Sequence, residues 1–303
     1  MVSREARVEI DRMFAKAREQ AVAYPDGKPL ALRRREWEAE SRLDVLPKGA
    51  RFQPADAGSV RAEWMEMPHM NAERAFLLLH GGGYNAGSPR THRKMAAHLS
   101  RAGNMRVLVP DYRLAPEHAF PAAVKDALTA YGWLLEQGFV EDNIIVGGDS
   151  AGGGLALSML LALREGGAKM PRAAVLLSPW TDLTVSSGSY ERMRKLDPII
   201  SREGLREAGL LYAGGRDPAD PMASPLFADL RGLPPLLVQV GGDETMFDDS
   251  RVFAERARAA EVEVSFKIFD GMWHVHQSGA PDVPESVAAY NDIAAFIRAQ
   301  FGE

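Results

Sequence analysis

Most of the chain alternates short, continuous apolar runs with longer amphipathic stretches. The runs at 75–79, Met105–Pro110, 144–146, Ala173–Leu177, 236–240 and Val264–Phe269 are too short for helices and carry little polar alternation. That pattern predicts strands buried on both faces. The intervening stretches at 121–135, 155–163 and 250–260 read as helices, and Pro284–Gln300 reads as a closing one. Strands separated by helices of this length are joined by crossovers, which predicts an α/β fold: a mostly parallel sheet with helices on both faces. Phe52 and 60–67 read as earlier strands, with Arg61, Glu63 and Glu66 interrupting the apolar pattern as expected near a sheet edge.

Two regions depart from this rhythm. Residues 3–41 are helical in pattern, with Val8, Met13 and Phe14 apolar before the charges of RRREWEAESR take over, so they predict a peripheral helical element. The stretch 180–227 is rich in Ser, Asp and Pro, with short helices expected around Arg192 and at 201–211. It predicts an insertion lying over the strand ends. The expected organisation is an N-terminal helical part, 1–45, and a catalytic unit, 46–303, interrupted by that insertion.

Composition narrows the function classes. The 303 residues carry a formal charge of −5, which argues against a nucleic-acid partner, since phosphate recognition needs clustered Lys and Arg. No cysteine is present, excluding disulfides, thiolate metal sites and a cysteine nucleophile. The first twenty residues are charged throughout, without the apolar core of a secretory signal, and no run has membrane-spanning length. The expectation is a cytoplasmic protein with no membrane span.

The candidate chemistry begins at Gly148-Asp149-Ser150-Ala151-Gly152, a G-x-S-x-G pattern between an apolar strand run and an apolar helical run. A sharp strand-to-helix turn there exposes the serine hydroxyl above the sheet, and Ser150 becomes a candidate nucleophile. The alternative, a phosphate-binding loop, lacks the lysine and the glycine spacing it needs. His80-Gly81-Gly82-Gly83 follows an earlier strand run. Glycines allow backbone N–H groups to approach the oxyanion of a tetrahedral intermediate, and Ala151 supplies one more N–H. His80 is expected to organise that loop.

A serine hydroxyl needs a histidine base, and that histidine needs a carboxylate to orient it. In a nucleophile-elbow fold the chain order is serine, acid, histidine. Of seven histidines, His274 and His276 follow Ser150 with a strand and acids between. His274 sits just past a strand, where the catalytic side chains of open α/β sheets gather. His276 is expected to line the pocket. His274-Val275-His276 lacks a matching His or Cys cluster, so no metal site is expected. The acid is either Asp243 or Glu244, adjacent at the turn after the 236–240 run, while Asp248 and Asp249 are expected to cap the next helix.

Together with the block Asp111-Tyr112-Arg113-Leu114-Ala115-Pro116-Glu117 and Phe120-Pro121-Ala122-Ala123, the HGGG and GDSAGG motifs come in an order that resembles the hormone-sensitive-lipase-like esterases, the bacterial family IV lipolytic enzymes. The resemblance runs from about residue 50 to the C-terminus. It implies the α/β-hydrolase fold and a cap built from the N-terminal helices and the 180–227 insertion. It implies hydrolysis of short to medium acyl esters without a cofactor, and Gly82, Gly83 and Ala151 as oxyanion donors. The family's common D-P-L-x-D-E pattern puts the acid four residues before the first of the paired acids, here Asp248. That position is Glu244, where the family commonly carries aspartate, and Asp243 remains the rival. Asp111 and Arg113 are expected to tie their loop together, and Glu117 to reach the glycine loop or His80. Tyr84, Trp180, Met246, Trp273 and Leu211 are candidate pocket residues, with core or cap packing the commoner role for each. A small-ligand receptor on the same fold is the alternative, and the presence of His274 distinguishes against it. The alternating edge at 262–269 is compatible with a homodimer.

Overall fold

The computed structural model describes residues 2–303. Its eight strands are β1 (Arg51–Ala57), β2 (Val60–Glu66), β3 (Asn71–Leu79), β4 (Met105–Pro110), β5 (Ile144–Asp149), β6 (Ala173–Leu177), β7 (Leu236–Gly241) and β8 (Val264–Phe269). They form one sheet in the order β1-β2-β4-β3-β5-β6-β7-β8. β2 runs antiparallel to β1 and β4, and every other pair is parallel. The helices are α1 (Arg4–Ala23), α2 (Leu30–Glu40), α3 (Arg93–Gly103), α4 (Ala122–Glu136), α5 (Ala151–Glu165), α6 (Ser189–Arg192), α7 (Arg202–Ala213), α8 (Phe247–Ala259) and α9 (Pro284–Gln300). None of the described helices is long and apolar enough to cross a membrane.

Strand periodicity divides the core into two layers. Along β3, Ala75, Leu77 and Leu79 pack with α4, α5 and α8. Phe76 and Leu78 face the other way, onto α3 and α9. Alternate side chains thus enter opposite layers, which is why the run carries no polar break.

α3 is the helix the sequence pattern did not predict. It is amphipathic: Met95, Ala96 and Leu99 turn onto the sheet, and Lys94, His98 and Arg101 share the opposite face. It closes on Asn104 in the left-handed region, at φ 51°, whose N–H bonds Ser100 O.

Three expected contacts are replaced by others. Asp111 pairs with Arg61 of β2 at 3.2 Å, because the pairing of Ala62 with Pro110 brings Arg61 to the end of β4. Arg113 instead holds Asp126 of α4, at 2.7 Å. Glu117 reaches neither His80 nor the glycine loop. It accepts from Arg34 of α2 at 2.6 Å, and Arg34 also donates to Asn85 O and Ala115 O. A guanidinium with five donors bridges all three segments at once, fastening α2 beside the glycine loop.

Asp248 and Asp249 also depart from expectation. α8 starts at Phe247, so both lie inside its first turn, and neither caps it. Asp249 is fully buried and accepts from Thr181 N, Asp182 N, Ser187 Oγ and Tyr190 Oη. Asp248 accepts from Ser189 N and Arg192. The two carboxylates pin the start of the 180–227 insertion to α8.

Removing the Asp249 carboxylate leaves buried donors without an acceptor, a loss of roughly 1–3 kcal/mol per group before relaxation. Asp249→Ala is therefore expected to destabilise the fold by about 3 kcal/mol in urea unfolding, against about 0.5 kcal/mol or less for the exposed control Asp217→Ala.

Candidate active site

The strand β5 runs into α5 through Ser150, whose φ of 54° and ψ of −123° are rare for a residue with a side chain. Such a conformation costs on the order of 1–3 kcal/mol and persists only where its surroundings hold it. Here Ser150 N–H donates to Leu177 O at 2.8 Å, and Ser150 O accepts from Trp180 N at 2.9 Å. The first turn of α5 abuts the end of β3 so closely that a Cβ on Gly152 would lie 1.9 Å from Leu79 O. Glycine is the one residue that fits.

Next to the elbow lies the loop after β3. Asp149 Oδ1 accepts from Gly81 N at 3.0 Å, linking the loop to the residue before Ser150. His92 Nε2 lies 3.2 Å from the same N–H. His80 is fully buried behind the loop, stacked on Tyr112 at 4.1 Å, and its carbonyl accepts from Tyr112 Oη at 2.6 Å. Burial, helped by the charge of His92, pushes the His80 imidazole down to about 3, so it stays neutral. Gly82 has φ 119° and Gly83 φ 64°, and a Cβ on Gly82 would meet Ala86 O at 2.3 Å. The N–H groups of Gly82, Gly83 and Ala151 have no acceptor among the described residues.

His274 follows β8 and is buried. Its Nδ1 lies 3.2 Å from Glu244 Oε1. A carboxylate only accepts, so Nδ1 carries the proton and neutral His274 keeps its lone pair on Nε2. That Nε2 has no partner among the described residues. Glu244 is fully buried, and its second oxygen accepts from Ser178 Oγ at 2.6 Å and from Gly241 N at 2.9 Å. Ser178 Oγ also accepts from Val275 N at 3.2 Å, binding the histidine's own loop to the carboxylate. Burial pushes the His274 imidazole down, but the Glu244 carboxylate, with Asp197 and Asp149 beyond it, outweighs that and leaves it above the ordinary value. Asp243 shares no hydrogen bond with His274 among the described residues. Its carboxyl is raised by burial and by the charge of Asp270.

These groups meet at a cavity of about 610 Å³, whose wall includes Ser150, Gly82, Gly83 and His274, with Arg33 and Trp37 of α2 and Leu205 and Ala208 of α7. Ala151 and Glu244 stand fully buried behind that wall. The candidate pocket residues do not line it and take the other role, core or cap packing. Tyr84 and Trp180 are fully buried in the core, with Tyr84 stacked on Tyr212 at 3.7 Å. Met246 and Trp273 are buried, and Leu211 packs against the core from outside. His276 is likewise core, 4.5 Å from the Phe269 ring.

Sequence reasoning missed Asp149 and His92 at the glycine loop, Ser178 behind Glu244, and Asp197. Asp197 accepts from Thr245 N, Ile199 N and Ile200 N, tying the insertion to the turn that holds Glu244. Only Asp149, inside the G-x-S-x-G pattern, carried a signal that could have singled it out. The others become visible when distant segments meet.

The α/β-hydrolase fold family matches residues 76–278. An acetyl-hydrolase of Streptomyces hygroscopicus is 42% identical over 89% of this chain and 88% of its own length. An esterase of Acinetobacter venetianus is 40% identical over 81% of each chain. The crystal structure of an esterase of the bacterial hormone-sensitive lipase family superposes with a TM-score of 0.91 at 45% identity, covering 96% of this chain and 98% of that one. These similarities give the receptor alternative no support. The chain belongs to the α/β-hydrolase fold family and, within it, to the carboxylic-ester hydrolases of the hormone-sensitive-lipase group.

Proposed function

We propose that the chain hydrolyses short to medium acyl esters with Ser150 as nucleophile, His274 as base and Glu244 as the acid that orients it. The observation that carries this reading is the 3.2 Å contact of His274 Nδ1 with Glu244 Oε1, which leaves Nε2 free on the wall it shares with Ser150. Ser150 Oγ attacks the ester carbonyl carbon as His274 Nε2 takes its proton. The N–H groups of Gly82, Gly83 and Ala151 receive the oxyanion, a stabilisation of roughly 3–4 kcal/mol per donor where one is removed. The tetrahedral intermediate expels the alcohol, protonated by His274, and leaves an acyl-enzyme. Water, deprotonated by the same imidazole, then releases the acid.

Residues 1–45 and 180–227 serve as the cap in this reading, supported by the presence of α2 and α7 side chains on the cavity wall. The cavity's size suits a small ester. The unpaired edge of β8, where Ile268 is exposed, supports self-association as a homodimer.

Ser150→Ala is expected to lower kcat on 4-nitrophenyl butyrate by at least about 10⁴-fold while leaving the circular dichroism spectrum unchanged. Activity persisting near the wild-type level contradicts the assignment. Glu244→Gln is expected to cost roughly 10³-fold or more, because an amide at that place no longer fixes the tautomer. Asp243→Asn should stay within about threefold; the reverse ranking would make Asp243 the acid.

The pH profile gives an independent check. The base must be neutral, so kcat/KM rises as pH rises through the His274 pKa. Because that pKa is raised, the acid limb should lie above the 6.5 of an ordinary imidazole. In Glu244→Gln burial acts without the opposing carboxylate, and the limb of the residual activity should move to lower pH.

A further inference from the structure

The loop that carries Gly82 and Gly83 has little of its own to fix it. Both glycines have positive φ, 119° and 64°, and neither N–H has an acceptor among the described residues. The backbone bonds within the loop run from Asn85 N and Ala86 N to Gly82 O, at 3.3 and 3.0 Å. Glycine backbone turns freely, so the direction of these two N–H groups is set by what grips the residues beside them. On one side Asp149 accepts from Gly81 N. On the other side the grip comes from α2, through Arg34, which stands 51 positions before Asn85 in the chain.

No residue of α2 is buried, so hydrogen bonds and one aromatic ring seat the helix. Arg34 Nε donates to Asn85 O at 2.6 Å and Nη2 to Ala115 O at 2.7 Å. Ala115 N in turn donates to Tyr84 O at 2.9 Å. The same guanidinium holds both oxygens of Glu117, at 2.6 and 2.9 Å. Arg33 donates to Asn85 Oδ1, and Glu38 accepts from Ser88 Oγ. The Trp37 ring lies against Gly82, 3.0 Å from where a Cβ would stand, and meets the His92 ring edge-on at 5.6 Å. Arg33, Arg34, Trp37 and Glu38 fall on one face of the helix, and that face meets the loop from Gly82 to Ser88.

We propose that Arg34 is a positioning residue for the oxyanion: by holding Asn85 O and Ala115 O it aims the Gly82 and Gly83 N–H groups at the oxygen that becomes charged. The set of donors is complete only while α2 is seated. The proposal rests on the ester-hydrolase reading above and extends it to a residue that is not on the cavity wall. Preorganised donors act only at the right place, and a misplacement of about 1 Å costs on the order of 10²-fold in rate.

The test is Arg34→Met, which keeps an unbranched stem and removes every donor, read against Arg35→Met, an exposed arginine of the same helix. On 4-nitrophenyl butyrate Arg34→Met is expected to lower kcat by about 30-fold or more with KM within about threefold, because the oxyanion forms only after the ester has bound. An alkyl trifluoromethyl ketone reads the same groups without turnover. Ser150 Oγ adds to its carbonyl carbon, the hydroxyl proton passes to His274, and the carbonyl oxygen becomes an oxyanion on the loop. Its inhibition constant is expected to rise in Arg34→Met by the factor that kcat falls. Arg35→Met should leave kcat, KM and ketone inhibition within about twofold of wild type. Arg34→Lys keeps the charge facing Glu117 but lacks the planar fork, and about tenfold or more of kcat should be lost there. If Arg34→Met fails to fold, Arg34→Lys reads the same quantities. A raised KM with unchanged kcat overturns the proposal and makes Arg34 a residue that shapes substrate binding. A lower melting temperature with kcat and ketone inhibition unchanged overturns it too, leaving Arg34 a purely structural role. In both cases cleavage by the wild type leaves the hydrolase reading standing, whereas a wild type that neither cleaves the butyrate nor binds the ketone overturns both.

Discussion

The site depends on one close backbone approach, the first turn of α5 against the end of β3. At Gly152 there is no room for a Cβ beside Leu79 O. This contact puts the glycine loop that continues β3 next to the elbow at Ser150. Asp149 completes the junction by accepting from Gly81 N. That junction holds the left-handed backbone at Ser150 beside the N–H groups of Gly82 and Gly83, which have no acceptor among the described residues. Strain at the serine is sustained by its hydrogen bonds to β6 and to Trp180.

A second set of contacts secures the histidine. Ser178, at the end of β6, donates to Glu244 and accepts from Val275, so one hydroxyl ties the acid's turn to the histidine's loop. Asp197, Asp248 and Asp249 fasten the insertion to the same region of β7 and α8. The insertion therefore contributes to the cavity wall and also buttresses the turn that carries Glu244. Buried carboxylates are costly unless fully hydrogen-bonded, and Asp249 has four donors.

The sheet and its layers were legible because strands buried on both faces leave unbroken apolar runs, as in β3, β5 and β7. Local motifs were legible for a similar reason: G-x-S-x-G and HGGG record backbone conformations that few residues tolerate. α3 was legible on the same ground, since Lys94, His98 and Arg101 fall on one face and Met95, Ala96 and Leu99 on the other, although the pattern of apolar runs passed over it. Contacts between distant segments were hidden. Arg34 reaching Glu117 across 83 positions, or Ser178 reaching Glu244 across 66, leaves no periodic trace. The pocket lining was hidden for the same reason. Tyr84 and Trp180 stand beside the motifs in sequence but pack inward, while Trp37 and Leu205 arrive from α2 and α7.

The central claim is that Ser150 is activated by a histidine whose tautomer is held by Glu244. Covalent labelling by a fluorophosphonate, with the adduct located by peptide mass mapping, tests it most directly. The account predicts one adduct, on Ser150, forming rapidly in the wild type and far more slowly in Glu244→Gln. No adduct, an adduct on another serine, or equal rates in the two proteins would contradict it.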